Sequence, residues 1–155
     1  MRGNFLNSKE LSDASNEREE AQALILEHSR NPRNFGTFVD PQRTGIEENP
    51  VCGDRCQVML LTDQTHVNEI RFTGRGCAIS MASASIMTEL VDGLHVSRVN
   101  ELVGSVKKYF TERGSIDEVD LGDLVALSGV RELPMRVKCA TLPWNALRNA
   151  IECSD

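Results

Sequence analysis

The sequence predicts an α+β domain in which a small antiparallel β-sheet is covered on one face by helices. Three observations carry that expectation. A helical pattern lies near the N-terminus, two alternating strand-like segments flank Asp63-Gln64-Thr65, and only helical patterns follow Gly74-Arg75-Gly76. Helix, strands, then helices is the order of a sheet whose helices are segregated to one side.

Residues 1–16 are mostly polar, with Phe5, Leu6 and Leu11 isolated, and are expected to form a flexible tail ahead of a single domain at 17–155. From Glu17 to about His28, Ala21, Leu24, Ile25 and His28 fall on one stripe. Glu17, Glu19 and Glu20 lie near the positive end of that helix's dipole. Asn31-Pro32-Arg33-Asn34 stops the helix, because a residue before proline avoids the helical region. Thr44 to Glu48 is a short strand candidate. Over Cys56 to Thr62, Cys56, Val58 and Leu60 alternate with Gln57, Met59 and Leu61. Asp63-Gln64-Thr65 then reads as a hairpin connection to His66–Thr73, where Ile70 and Phe72 share a face.

The helical half begins at Ala78 to Val91, with Ile79, Ala82, Ile86 and Leu90 in register. Its run Ala82-Ser83-Ala84-Ser85 lets the helix lie close against a neighbour, and Asp92-Gly93 ends it. Val96 to about Phe110 is a second amphipathic helix with Val99, Leu102, Val103, Val106 and Phe110 as its stripe. Leu121 to Leu127 is a short third one. Thr141 to Glu152 is the last, with Pro143 expected in its first turn.

Composition narrows the function. The 155 residues make one ordinary domain, and 17 Lys+Arg against 23 Asp+Glu give a formal charge of −6. That balance argues against nucleic acid, and against an anionic membrane surface, as a partner. The apolar runs fall far short of the ~20 residues that span a bilayer. The N-terminus has neither a signal-peptide nor a transit-peptide pattern, so the expected location is cytoplasmic. In that setting an odd count of five cysteines favours reduced thiols, metal ligands or a chemically active thiol over a disulfide framework.

Three of those cysteines stand at special backbone positions. Cys52 lies in the loop Asn49-Pro50-Val51-Cys52-Gly53-Asp54, and Cys77 follows Gly74-Arg75-Gly76 at a strand-to-helix junction. Cys139 is expected just before the last helix, in Arg136-Val137-Lys138-Cys139-Ala140-Thr141. Loops at element ends can converge, and a thiol at a helix N-terminus has a lowered pKa. Asp54 is the fourth candidate ligand, since Gly53 permits the turn that would aim it and Cys52 at one ion. Three thiolates and a carboxylate fit a tetrahedral zinc or ferrous site, and Arg55, Arg75, Arg136 and Lys138 would offset the ligands' negative charge. Cys56 reads instead as a strand residue, Cys153 as a terminal one and His28 as a packed histidine. His66 and His95 read as solvated.

These blocks carry a resemblance. Asn49–Asp54, Gly74–Ser85 and Arg136–Trp144 are similar to the three signature blocks of the IscU/SufU family of iron–sulfur cluster assembly proteins, which is NifU N-terminal-like. Ile25-Leu26-Glu27-His28 with Asn31-Pro32-Arg33-Asn34-Phe35-Gly36 resembles that family's first helix and turn, so the similarity runs from about Glu17 to Ile151. Lys138 stands where IscU scaffolds have histidine, and Leu121–Leu127 resembles the extra segment of the SufU branch. Cys56 and Ser29 depart from the family pattern, Ser29 standing where an aromatic is common.

The resemblance implies an IscU/SufU-like fold, Zn2+ held by Cys52, Asp54, Cys77 and Cys139, and a SufS-like cysteine desulfurase as partner. The reading that follows is a sulfurtransferase-like relay in which Cys52, expected on an exposed loop whereas Cys77 and Cys139 are expected to open helices, accepts persulfide sulfur and passes it to downstream iron–sulfur assembly proteins. Arg136 is the expected switch, able to hold Asp54 or steady a free Cys52 thiolate. Two other readings stay open on the same residues. One is a scaffold that binds iron or an iron–sulfur cluster, and the other is a structural zinc docking module.

Overall fold

A computed structural model of the chain describes the backbone of residues 8–112 and 121–153, and side chains from residue 15 onward. The first helix, α1, runs over Ser8–Arg30 and so begins nine residues before Glu17. The first seven residues of the expected tail lie outside the described residues. The stripe forecast for α1 faces inward: Ala21, Leu24 and Ile25 are half-buried and His28 is fully buried.

Strands β1 (Arg43–Asn49), β2 (Asp54–Thr62) and β3 (Val67–Arg75) form one antiparallel sheet in the order β1-β2-β3. Asn49 pairs with Asp54 and Arg55 pairs with Arg75, so the β1–β2 turn and the end of β3 share one edge of the sheet. Cys56, Val58 and Leu60 face the core with Ile70 and Phe72. The segment after α1 closes the β3 edge: Gly36 N–H donates to Phe72 O at 2.9 Å, and Phe72 N–H to Asn34 O at 3.1 Å.

Helices α2 (Ala78–Val91), α3 (Val96–Thr111) and α4 (Pro134–Glu152) complete the layer. α4 lies on β1 and β2, and α2 packs between α1 and α4. A Cβ on Gly45 would sit 2.2 Å from the Ala146 carbonyl oxygen and 2.3 Å from the Ala150 nitrogen, so only glycine lets α4 approach β1 this closely. Trp144, Tyr109 and Phe72 are the largest fully buried side chains.

Two helical expectations are corrected. The segment expected as a short α-helix over Leu121–Leu127 is a 3₁₀ helix over Gly122–Glu132. Its N-cap Leu121 and its buried residues Leu124, Leu127 and Val130 recur every third position, and a helix with three residues per turn brings such positions onto one face. The last helix starts at Pro134, not Thr141, because Pro134 takes the first-turn position that Pro143 was expected to fill. Pro143 lies inside α4, and Cys139 is therefore a helix residue rather than a loop residue. Among the described residues no helix is long and apolar enough to cross a membrane.

His28 clasps α1 to α2. Its Nδ1 is 2.7 Å from Ser85 Oγ, and its Nε2 is 3.6 Å from Glu89 Oε1. Arg33 N–H already donates to Ser85 Oγ, so the hydroxyl proton is free for Nδ1 and the ring proton belongs on Nε2. Burial holds the imidazole's pKa below its ordinary value; Arg33 lowers it further, while Glu89, Asp123 and Glu27 pull the other way. The unfolded chain thus binds a proton at His28 more readily than the folded chain does. Stability from this site is full above the unfolded value of ~6.5 and is lost as pH falls through it. Urea unfolding at about pH 7.5 and about pH 5.5 checks this. Wild type should lose more stability on acidification than His28→Gln, and equal losses would contradict the assignment.

Candidate metal centre

The edge shared by the β1–β2 turn and the end of β3 is where the cysteines collect. Pro50 to Gly53 form the turn, closed by Gly53 N–H donating to Asn49 O at 2.8 Å and steadied by Val51 N–H donating to Asn49 Oδ1 at 3.1 Å. Gly53 has φ +77°, a left-handed conformation suited to glycine, and this reversal sets Cys52 outside the sheet and Asp54 at the first position of β2. Arg75 Nε reaches the Gly53 carbonyl at 3.4 Å and ties the turn to β3.

Ligand atoms of Cys52, Asp54 and Cys139 all lie within 4.8 Å of one another. Cys52 is exposed, while Asp54 and Cys139 are buried. Asp54 is only 5 % exposed, and its Oδ2 has no hydrogen-bond partner among the described residues. A buried carboxylate oxygen left without a donor is costly, and a cation is the natural partner for one that faces two sulfurs. Carboxylate and thiol donors at this separation suit zinc or ferrous iron.

Cys77 is outside that compact group. Its sulfur lies 4.0 Å from Ser80 Oγ at the N-cap of α2. It nonetheless abuts Cys139. Burial first, then contact with Cys77 and Asp54, pushes the Cys139 thiol up to about 12. The expectation of a lowered pKa therefore fails at Cys139, because this residue sits in the second turn of α4 and faces other acidic groups.

The remaining candidates separate cleanly. Cys56 points into the core, and burial pushes its thiol up to about 12. Cys153 caps α4 and is exposed. His66 and His95 are exposed and meet edge to face, with ring centroids 5.1 Å apart. Arg136 and Lys138 are exposed on the first turns of α4, and Arg55 pairs with Glu48 at 2.9 Å. The Arg136 side chain makes no hydrogen bond or ion pair among the described residues.

Three supports were missed from sequence. A Cβ on Gly76 would lie 2.9 Å from Asp54 Cγ and 2.2 Å from Ser80 Oγ, so Gly76 makes room for the carboxylate. Ser83 Oγ donates to the Ala140 carbonyl at 2.6 Å and accepts from Trp144 Nε1 at 3.1 Å, fastening α4 to α2 beside Cys139. Pro143 has no N–H to offer the Cys139 carbonyl four residues back. A glycine just before one cysteine and a proline four residues after another were the available signals.

Comparison with known proteins shows the family. The family described as NifU-like N terminal domain matches residues 20–140. A Bacillus subtilis (strain 168) protein named zinc-dependent sulfurtransferase SufU is 40% identical over 132 residues, covering 83% of this chain and 86% of its own. The iron–sulfur cluster assembly scaffold protein IscU of Streptococcus pyogenes serotype M1 is 35% identical over 136 residues, covering 85% and 82%. A crystal structure from Fervidobacterium islandicum AW-1, described as an iron–sulfur cluster assembly scaffold protein for the SUF system, superposes with a TM-score of 0.79. It is 29% identical and covers 83% of this chain and 94% of its own.

Gly76→Ala crowds the Asp54 carboxylate, and Asp54→Ala removes it. In zinc-loaded protein both changes should speed metal loss to a chelator by about tenfold or more. Exchange at the wild-type rate in both variants would remove Asp54 from the ligand set.

Proposed function

We propose that this chain, which belongs to the NifU-like N-terminal domain family, is a zinc-holding sulfur acceptor in iron–sulfur cluster assembly. Its donor is a cysteine desulfurase that carries a persulfide. The observation that carries the reading is an exposed Cys52 within 4.8 Å of two buried donors, Asp54 and Cys139.

Cys52, Asp54 and Cys139 would hold the zinc, with Cys77 as the fourth ligand. When bound, zinc would supply a redox-inert Lewis acid that keeps these sulfurs as thiolates and shields them from oxidation. The remaining chemistry belongs to the chain. Cys52 sits on an exposed turn tied to the sheet through Asn49, Asp54 and Arg75, so its sulfur can reach outward. The Cys52 thiolate forms a bond to the outer sulfur of the donor's persulfide. The bond from that sulfur to the donor cysteine breaks with its electron pair on the donor, which leaves as a thiolate. Cys52 ends as a persulfide, and no oxidant or reductant is consumed. Cys139 and Cys56 are poor competitors, because both are buried away from an incoming donor, and burial also keeps the Cys56 thiol protonated. Arg136 is assigned as the cation that steadies Asp54 or the Cys52 thiolate during the exchange.

A second reading follows from the scaffold-type relatives. Thiolates that suit zinc also bind an iron–sulfur cluster, which would then be cargo. Lys138 immediately before Cys139, where scaffolds of the family resemble each other in having histidine, favours transfer. Protein that binds one zinc per chain and stays colourless supports the acceptor reading, and brown protein supports the scaffold.

The direct test is where sulfur lands. After a limited reaction with desulfurase and labelled cysteine, peptide fragmentation should place the label on Cys52 and not on Cys56, four residues away. Label on Cys56 or Cys139 with Cys52 unmodified would overturn the assignment.

A further inference from the structure

We propose that Ser80 is a positioning residue of the metal centre: its hydroxyl hydrogen-bonds the Cys77 sulfur, keeps Cys77 in place as a ligand and leaves Cys52 as the thiolate that reacts. The proposal rests on Cys52 being the sulfur acceptor. Burial removes Cys139 and Cys56 from contention, but Cys77 is only half-buried and abuts Cys139, so something besides burial must quiet it. Its sulfur is 4.0 Å from Ser80 Oγ, and Ser80 is only 4 % exposed. Cys77 is the N-cap of α2 yet makes no side-chain capping hydrogen bond, so its sulfur is not committed to the helix backbone.

The hydroxyl is free to turn. Ser80 Oγ donates to the Cys77 carbonyl at 3.1 Å, but that carbonyl also accepts from Met81 N–H at 3.1 Å. Turning the hydroxyl proton to the sulfur therefore leaves no buried backbone group unpaired. A hydroxyl both accepts and donates, so Ser80 can take a hydrogen bond from a thiol and give one to a metal-bound thiolate, which has no proton. Ser80 also stands on the side from which the ion would draw Cys77. A Cβ on Gly76 would lie 2.2 Å from Ser80 Oγ and 3.1 Å from Asp54 Oδ1, so hydroxyl and carboxylate border the same space. A Cys77 sulfur drawn toward Asp54 stays beside the hydroxyl. Cys52 Sγ instead lies 3.9 Å from the Asn49 carbonyl. A carbonyl gives no proton, so that contact leaves the Cys52 thiolate its full charge, whereas a hydrogen bond draws charge off Cys77 and dulls it as a nucleophile.

The test is Ser80→Ala, with Ser80→Thr to keep a hydroxyl. Two of its readouts need no desulfurase. In protein saturated with cobalt in place of zinc, the sulfur-to-cobalt charge-transfer band should move to longer wavelength in Ser80→Ala and stay at the wild-type position in Ser80→Thr, because a thiolate without a hydrogen bond gives up an electron more readily. In zinc-loaded protein treated with iodoacetamide, alkylation of Cys77 should rise about tenfold in Ser80→Ala while that of Cys52 keeps the wild-type rate. Trypsin cuts after Arg43, Arg55 and Arg75, which puts Cys52 and Cys77 on separate peptides. With desulfurase and labelled cysteine, Ser80→Ala should carry label on Cys77 as well as on Cys52. An unmoved cobalt band with unchanged Cys77 alkylation overturns the proposal, and so does an equal rise at Cys52 and Cys77, the mark of a loosened site. So does faster metal loss with Cys77 no more reactive, since the hydroxyl would then serve Asp54. Wild type that takes no label on Cys52 is the separate result that defeats the acceptor reading, and the cobalt band still judges the Ser80 contact.

Discussion

One constraint organises the molecule: a buried carboxylate, Asp54, is held against the sulfurs of Cys52 and Cys139, and its Oδ2 has no hydrogen-bond partner among the described residues. Such a group is expensive to bury, and folding tolerates it only where a cation or a strong donor arrives. Each nearby feature contributes to bringing those groups together. The β1–β2 turn reverses at Gly53, Gly76 vacates the space the carboxylate occupies, and Gly45 lets α4 settle on the sheet with Cys139 facing inward. The Ser83–Ala140–Trp144 hydrogen bonds then keep α4 in register with α2. The fold accepts a local cost at one edge, which a bound cation would offset.

The same arrangement divides labour among the thiols. Cys52 is exposed on a turn, Cys139 is buried in a helix, Cys56 faces the core, and Cys77 stands at a helix start. A nucleophile must be reachable as well as deprotonated, and burial alone removes two of the five cysteines from contention. Arg75 reaches the Gly53 carbonyl of the turn that carries the exposed thiol, and Arg136 and Lys138 flank Cys139 on α4. Function therefore depends on position within the fold more than on composition.

Much of this was legible in the sequence. The alternation of Cys56, Val58 and Leu60, the stripe of α3 and the limits of α2 all follow simple periodicities that the structure repeats. Asp54 and Cys52 were marked by Gly53 and by the end of a strand, whereas the place expected for Cys139, just before the last helix, was wrong because α4 already begins at Pro134. What stayed hidden depended on competition between similar signals. Pro134 and Pro143 both suit a first turn, and the helix begins at Pro134 and continues through Pro143. Leu121, Leu124 and Leu127 fit a loose α-helical stripe, and their three-residue spacing identifies a 3₁₀ helix only when all four buried residues, Val130 included, are counted together. The sulfur–carboxylate distances, and Cys77's position outside the compact group, are tertiary facts that no local pattern encodes.

Zinc K-edge X-ray absorption on the purified protein tests the central claim most directly, because it counts sulfur against oxygen around the metal. The account predicts three sulfurs at about 2.3 Å and one oxygen at about 2.0 Å, in four-coordinate geometry. A shell of four sulfurs, or one made only of oxygen and nitrogen, would contradict a site built from Cys52, Asp54, Cys77 and Cys139.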